Sequence, residues 1–265
     1  MKVYADNAAT TYLSKTARDK FIECLDNFNG NPNSLHSDGQ RTQEVLDEAR
    51  EIVAGCINAA KTNEIYFTSG GSEADNQALL SAARGLSKKG KKHLITLNIE
   101  HHAILHTMAK LEKEGFEVTY LAPESNGIVD PQKVADAIRE DTALVSVMFA
   151  NNEMGAIQPI PEIGKICKEK GVLFHTDAVQ AAGHLPIDVQ AMNIDMLSMS
   201  GHKFHGPKGC GVFYARNGIR LVNVIEGGAQ ERGKRAGTVN VPAIRAMAEA
   251  LKEACDNMEP NMTRV

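Results

Sequence analysis

From Ile65 to Ala215 the chain alternates short apolar runs with amphipathic stretches, and that alternation limits its possible folds more than any other feature. The runs Ile65–Thr68, His93–Leu97, Phe116–Leu121, Ala143–Phe149, Val172–His175, Ile194–Met199 and Val212–Ala215 have strand length. Their apolar residues are mostly consecutive rather than strictly alternating, which means burial on both faces. Between them, Glu73–Leu86, Ala103–Glu114, a stretch opened by Asp130-Pro131, and Pro161–Lys170 show helical spacing. In Ala103–Glu114, Ile104, Leu105, Met108 and Leu111 share one side. Asp130 before Pro131 reads as a cap followed by proline at the first helical position. The fold class that follows is α/β, a mainly parallel central sheet with helices on both faces. Ligands of such sheets sit outside the carboxyl ends of the strands.

Ahead of this region Ser14 is placed to cap a helix with Ala17, Phe21, Cys24, Leu25 and Phe28 on one face. Asn29–Ser34 is a loop, and a longer helix follows His36 and Gly39. A length of 265 residues allows one large domain, or one with a small partner. A net charge of −4 gives no global pull toward nucleic acid or membrane, and neither is expected as a direct partner. No apolar run approaches membrane-spanning length, and the start MKVYADNAATT lacks a charged-then-apolar signal pattern. The five cysteines are scattered and show no metal-type pairing, so a reducing, cytoplasmic setting without a metal site is expected.

The unusual residues fall at the ends of the apolar runs. Ile194–Met199 stops at Ser200-Gly201 and delivers His202, Lys203, Phe204 and His205 into a turn closed by Gly206-Pro207 and Gly209. A lysine at the mouth of a buried strand is desolvated, which makes its amine a nucleophile suited to an aldehyde such as that of pyridoxal phosphate. A solvated lysine in a turn is the alternative. Phe67–Glu73 runs from strand to helix through Gly70, Gly71 and Ser72, a start that can receive a phosphate or be an ordinary helix entry. Asp177, at the end of Val172–His175, suits either a protonated pyridine nitrogen or a helix N-cap, with Gln180 one turn on. Glu100-His101-His102 and Asn151–Gly155 follow strands in the same way. A histidine there can lie over an aromatic ring or serve as a cap.

In order, the stretches DNAATT, GNPNSLH, FTSGGSEADN, EHHA, NNEMG, HTDAVQ, SGHKFHGPKG and ERGKRAGT resemble the cysteine desulfurases of iron–sulfur cluster assembly. These belong to the class V aminotransferase group of fold type I pyridoxal phosphate enzymes. The resemblance runs from Val3 to about Ala250. It implies that Lys203 carries the cofactor, that His101 stacks on the pyridine ring, and that Asp177 faces the ring nitrogen. Asn152 and Gln180 are implied near the ring hydroxyl, and Gly71, Ser72, Ser200 and His202 at the phosphate. Thr238 is implied to reach the phosphate of a neighbouring subunit, which makes the protein a homodimer. Asn31 and His36 match a loop near the substrate entrance.

The implied reaction is sulfur removal from L-cysteine, with an iron–sulfur scaffold or another sulfur-acceptor protein as partner. The implied domains are an N-terminal segment 1–12 joining a small domain, a cofactor-binding large domain 13–250, and the start of a C-terminal region at 251–265. The family's nucleophilic cysteine and its carboxylate-clamping arginine lie downstream of the Thr238 motif. Neither has a match before Val265, so the small C-terminal domain is expected to be largely missing. Cys210, in the glycine turn after Lys203, reads as structural. Two further expectations stand beside the first: a class V transaminase or lyase needing no thiol, and a non-catalytic subunit paired with a full-length paralogue.

Overall fold

A computed structural model describes residues 3–263, so residues 1–2 and 264–265, the ends of the expected terminal segments, lie outside the described residues. Its centre is a seven-stranded sheet of β1 (Ile65–Thr68), β2 (His93–Leu97), β3 (Glu117–Leu121), β4 (Thr142–Ser146), β5 (Leu173–Asp177), β6 (Met196–Ser200) and β7 (Gly211–Ala215). The spatial order is β1-β7-β6-β5-β4-β2-β3. Only β7 runs antiparallel to its neighbours, β1 and β6. The reason lies in the connections. Crossovers between strands of one direction run through α3 (Gly71–Leu86), α4 (His102–Lys113), α5 (Pro131–Ala137) and α6 (Ile160–Lys170), while residues 178–195 carry the chain from β5 to its parallel neighbour β6 without a helix. The short turn from Ser200 to Gly211 can only send the chain back.

The period of two along each strand divides the interior into two cores. Ile95, Val145, Phe174, Leu197 and Met199 belong to one, together with residues of α2 (Ser37–Cys56), α6 and α8 (Val241–Asp256). Leu94, Leu144, Met196 and Phe213 point the other way, into a core shared with α3 and α4. Helix α1 (Lys15–Asn27) is capped by Ser14, which accepts from Ala17 N at 3.1 Å, and packs on α8. Near the chain's end lie the single turn α7 (Gln230–Gly233) and the short α9 (Met258–Met262). Within α7, Glu231 and Arg232 have left-handed φ values of 46° and 57°. A buried pair between Arg50 and Glu231, 2.8 Å apart, holds that turn against α2. No helix among the described residues is long and apolar enough to cross a membrane.

Several boundaries differ from expectation, among them the carboxyl ends of β4 and β5. The ladder of β4 stops at Ser146 rather than Phe149, although Val147 N and Phe149 N still donate to carbonyls of His175 and Asp177 at 3.1 and 2.8 Å. At the other strand, β5 extends to Asp177.

Candidate active site

The carboxyl ends of β5 and β6 open into a cavity of about 470 Å³. Beyond Ser200 the backbone tightens into one 3₁₀ turn, Gly201–Lys203, which carries the Lys203 side chain into that cavity. The amine donates to Ala8 O and, at 3.0 Å, to Ala9 O. Burial pushes its pKa below the ordinary lysine value, while the charges of Asp177 and Asp6 oppose the shift. The roof is therefore the Asp6–Thr11 segment. It is tied down by Thr11, whose hydroxyl donates to His202 O at 2.8 Å.

A second wall is the start of α3. A Cβ on Gly71 would meet Val179 Cγ2 at 2.6 Å, so only glycine lets the helix start approach β5 this closely. Gly70, with φ 155°, turns the chain from β1 into the helix. The first amides of a 16-residue helix have no intrahelical acceptor and, with the dipole, favour an anion. Ser72, Ser200 and His202 line the cavity beside them and also an adjoining cleft of about 380 Å³ that reaches Thr10 and Lys208. Glu73 braces this wall by accepting from Ser69 N at 2.8 Å and pairing with Arg235 at 2.9 Å. Burial and the neighbouring charges of Lys203 and Lys208 lower the His202 pKa, so it serves as a neutral hydrogen-bonding ring.

Asp177 stands at the floor, 6% exposed. Its Oδ1 accepts from Val179 N at 2.9 Å, capping a turn, and no helix follows β5. The helix-cap alternative is thereby replaced by a turn cap. Burial raises the Asp177 pKa, while the Val179 amide and the charge of Lys203 draw it back. His101 does cap a helix: its Nδ1 accepts from Ala103 N at 3.1 Å at the start of α4, and its ring also lines the cavity. Asn152 lines it too, and Gln180 Nε2 donates to Ala8 O at 2.9 Å.

The fold thus gathers Gly71, Ser72, His101, Asn152, Asp177, Gln180, Ser200, His202 and Lys203 around one cavity. It does not bring Asn31, His36 or Thr238 to it. Asn31 and His36 line a separate cleft of about 430 Å³ with Arg41, where Asn31 accepts from Asn33 N and His36 caps α2. Thr238 lies exposed in the turn after Arg235. Sequence reasoning missed Asp6, the Ala8 and Ala9 carbonyls, and the buried acids Asp75 and Glu100. One signal was available: Asp75 lies four residues after Gly71, on the same side of α3. Cys210 is a buried thiol that donates to Pro207 O at 3.1 Å, and burial pushes its pKa up to about 12, as befits a structural residue.

Fold and cavity together define an α/β protein in which an amine, a carboxylate and the open amides of a helix start face one cavity. The family description Aminotransferase class-V matches residues 3–262, and the chain belongs to that family. It is 53% identical over 257 residues to a cysteine desulfurase IscS of Clostridium botulinum, covering 97% of this chain and 64% of the relative. A cysteine desulfurase IscS of Methanosarcina thermophila is 51% identical, with 97% and 63% covered. The chain therefore spans just under two thirds of the length of these curated relatives. Among solved structures, a NifS-like protein superimposes with a TM-score of 0.96 at 40% identity, over 99% of this chain and 72% of that one. SspA in complex with cysteine gives 0.91 at 41% identity, over 94% and 72%.

Proposed function

We propose that the protein binds pyridoxal 5'-phosphate and acts on L-cysteine as a desulfurase, yielding L-alanine and a sulfur passed to an acceptor protein. The observation that carries this reading is Lys203: a partly desolvated amine that shares one cavity with Asp177 and the α3 anion cradle. The residues fit the cofactor's chemistry group by group. Gly71, Ser72, Ser200 and His202 would receive the phosphate, Asp177 the ring nitrogen, Asn152 and Gln180 the ring hydroxyl, and His101 the ring face. When bound, the cofactor supplies an electron sink for the substrate α-carbon. Lys203, its pKa lowered by burial, is suited to take a proton from that carbon and return it. Asp177 would hold a proton on the pyridine nitrogen, and the Ala8 and Ala9 carbonyls of the roof orient the amine.

The wider reading follows the same family. Residues 13–250 form the cofactor domain, Thr238 serves the phosphate of a second subunit in a homodimer, and Asn31 and His36 flank substrate entry. An iron–sulfur scaffold or similar sulfur acceptor in the cytoplasm completes it. A second reading is favoured by one observation: none of the described cysteines lines the cavity. Transamination or elimination needs no thiolate there, whereas sulfur transfer requires one brought within reach.

Protein incubated with pyridoxal 5'-phosphate is expected to gain a visible absorbance band that borohydride removes, and Lys203→Ala is expected to lack it. A wild-type protein that stays colourless ends the cofactor reading. Sulfide and alanine released from cysteine under reductant support desulfuration, while amino-acid turnover without sulfide supports the second reading.

A further inference from the structure

Asp177 is not alone at the floor of the cavity. Asp75, from α3, lines the same space and is 1% exposed, and Glu100, after β2, is 5% exposed. Polar and titratable groups from several elements face Asp75. From β5 come Asp177 and His175, whose Nε2 lies 3.7 Å from Asp75 Oδ1. From β6 comes Ser198, and from the loop after β2 comes Glu100. Across the cavity are the bases Lys203, His101 and His202. Asp75 Oδ1 and Glu100 Oε2 have no hydrogen-bond partner among the described residues.

Two buried carboxylates facing each other cannot both stay ionised. Asp177 has what an anion needs: the Val179 amide at 2.9 Å and the positive charge of Lys203. Asp75 has no cation beside it. His175 cannot be that cation, since it is wholly buried, its nitrogens are engaged by Ser146 Oγ at 2.9 Å and Ser198 Oγ at 3.0 Å, and burial lowers its pKa to about 3. An ionised Asp75 would call for donors on both oxygens, and Oδ1 has none.

We propose that Asp75 is the positioning residue that keeps the proton of this carboxylate cluster and so leaves Asp177 as the ionised member. Beside it, the two His175 nitrogens are taken by Ser198 Oγ at 3.0 Å and Ser146 Oγ at 2.9 Å, so neither is left to donate to Asp75. The consequence for function rests on the cofactor reading above, because an ionised Asp177 is what a protonated pyridine nitrogen requires. The proton on Asp75 itself does not depend on that reading.

The test uses protein freed of cofactor, and the expected sign is definite. An aspartate neutral in the folded state but ionised in the unfolded one makes the folded form bind an extra proton above about pH 4. Folding of the wild type therefore weakens as pH rises, whereas Asp75→Asn is neutral in both states. The ratio of folding constants, variant over wild type, is expected to rise with pH above about pH 4, by up to about tenfold per pH unit, read by denaturant unfolding. Glu100 and Asp177 are present in both proteins, so their intrinsic titrations largely cancel in the ratio. Infrared spectra of wild-type protein labelled in its aspartate carboxyls, which needs no variant to fold, should show one protonated aspartate at neutral pH. That band should vanish in Asp75→Asn and persist in Asp177→Asn. With pyridoxal 5'-phosphate added, Asp75→Asn should keep the wild-type visible band and its pH profile. A pH-independent ratio, or a labelled band lost in Asp177→Asn instead, overturns the proposal. Failure to bind cofactor with the band intact would overturn the functional reading alone.

Discussion

The two faces of the central sheet are made by the same strands and have opposite characters. Toward α2, α6 and α8, Val145, Phe174, Leu197 and Met199 are apolar, with the buried Thr176 a polar exception near the end of β5. Toward α3, Leu94, Leu144 and Met196 are apolar at the amino ends, but Thr96, Ser146, His175, Asp177, Ser198 and Ser200 take over at the carboxyl ends. A period of two lets each strand hold the fold with one set of side chains and present chemistry with the other. The difference shows in how each face is kept in place. The dry face needs only volume, whereas buried polar atoms need named partners, which Ser146, His175 and Ser198 supply to one another.

Substitutions can sharpen or break this contrast. Phe174→Ala, on the dry face, is expected to cost about 3–5 kcal/mol of stability, read by denaturant unfolding, without moving the absorbance of bound cofactor. A comparable spectral change would mean the faces are not independent. His175→Asn, on the polar face, is expected to act through pH. The folded His175 pKa of about 3 lies below the ordinary value near 6.5, so its contribution is present above about pH 6.5 and is lost as pH falls toward 3. The stability difference between wild type and variant should thus shrink by about 1.4 kcal/mol per pH unit across that window. A difference that does not vary with pH would mean the imidazole is already charged. Asp177→Asn should change stability least, by about 1 kcal/mol or less, since asparagine can cap the same turn. It should nevertheless shift the visible spectrum of the bound cofactor. A large stability loss with an unchanged spectrum would assign Asp177 to the fold.

Much of this was legible in the residues. The bounds of β1 and β2 agree with the apolar runs, and Asp130-Pro131 does open α5. Turn chemistry after the strands marked Lys203, Asp177 and Gly71, because glycines and polar residues interrupt apolar runs there. Helix α8 went unmarked although Ile244, Met247 and Leu251 recur at helical spacing on its buried face. What else escaped had physical reasons. Asp75 looked like a polar residue on an amphipathic helix, and only the sheet packed against α3 makes it a buried acid. The roof over Lys203 could not be read from spacing at all, since the Ala8 contact bridges 195 positions. Thr238, Asn31 and His36 were marked through family likeness alone, and within this chain they lie outside the cavity.

That long span also orders events during synthesis. Thr11 and His202 are 191 positions apart, so the roof segment leaves the ribosome long before the turn it closes over exists. At about 5–20 residues per second, the wait is roughly 10–40 seconds. The sheet can begin to assemble in that time, and the pocket can be completed only after β6 and the Lys203 turn have emerged.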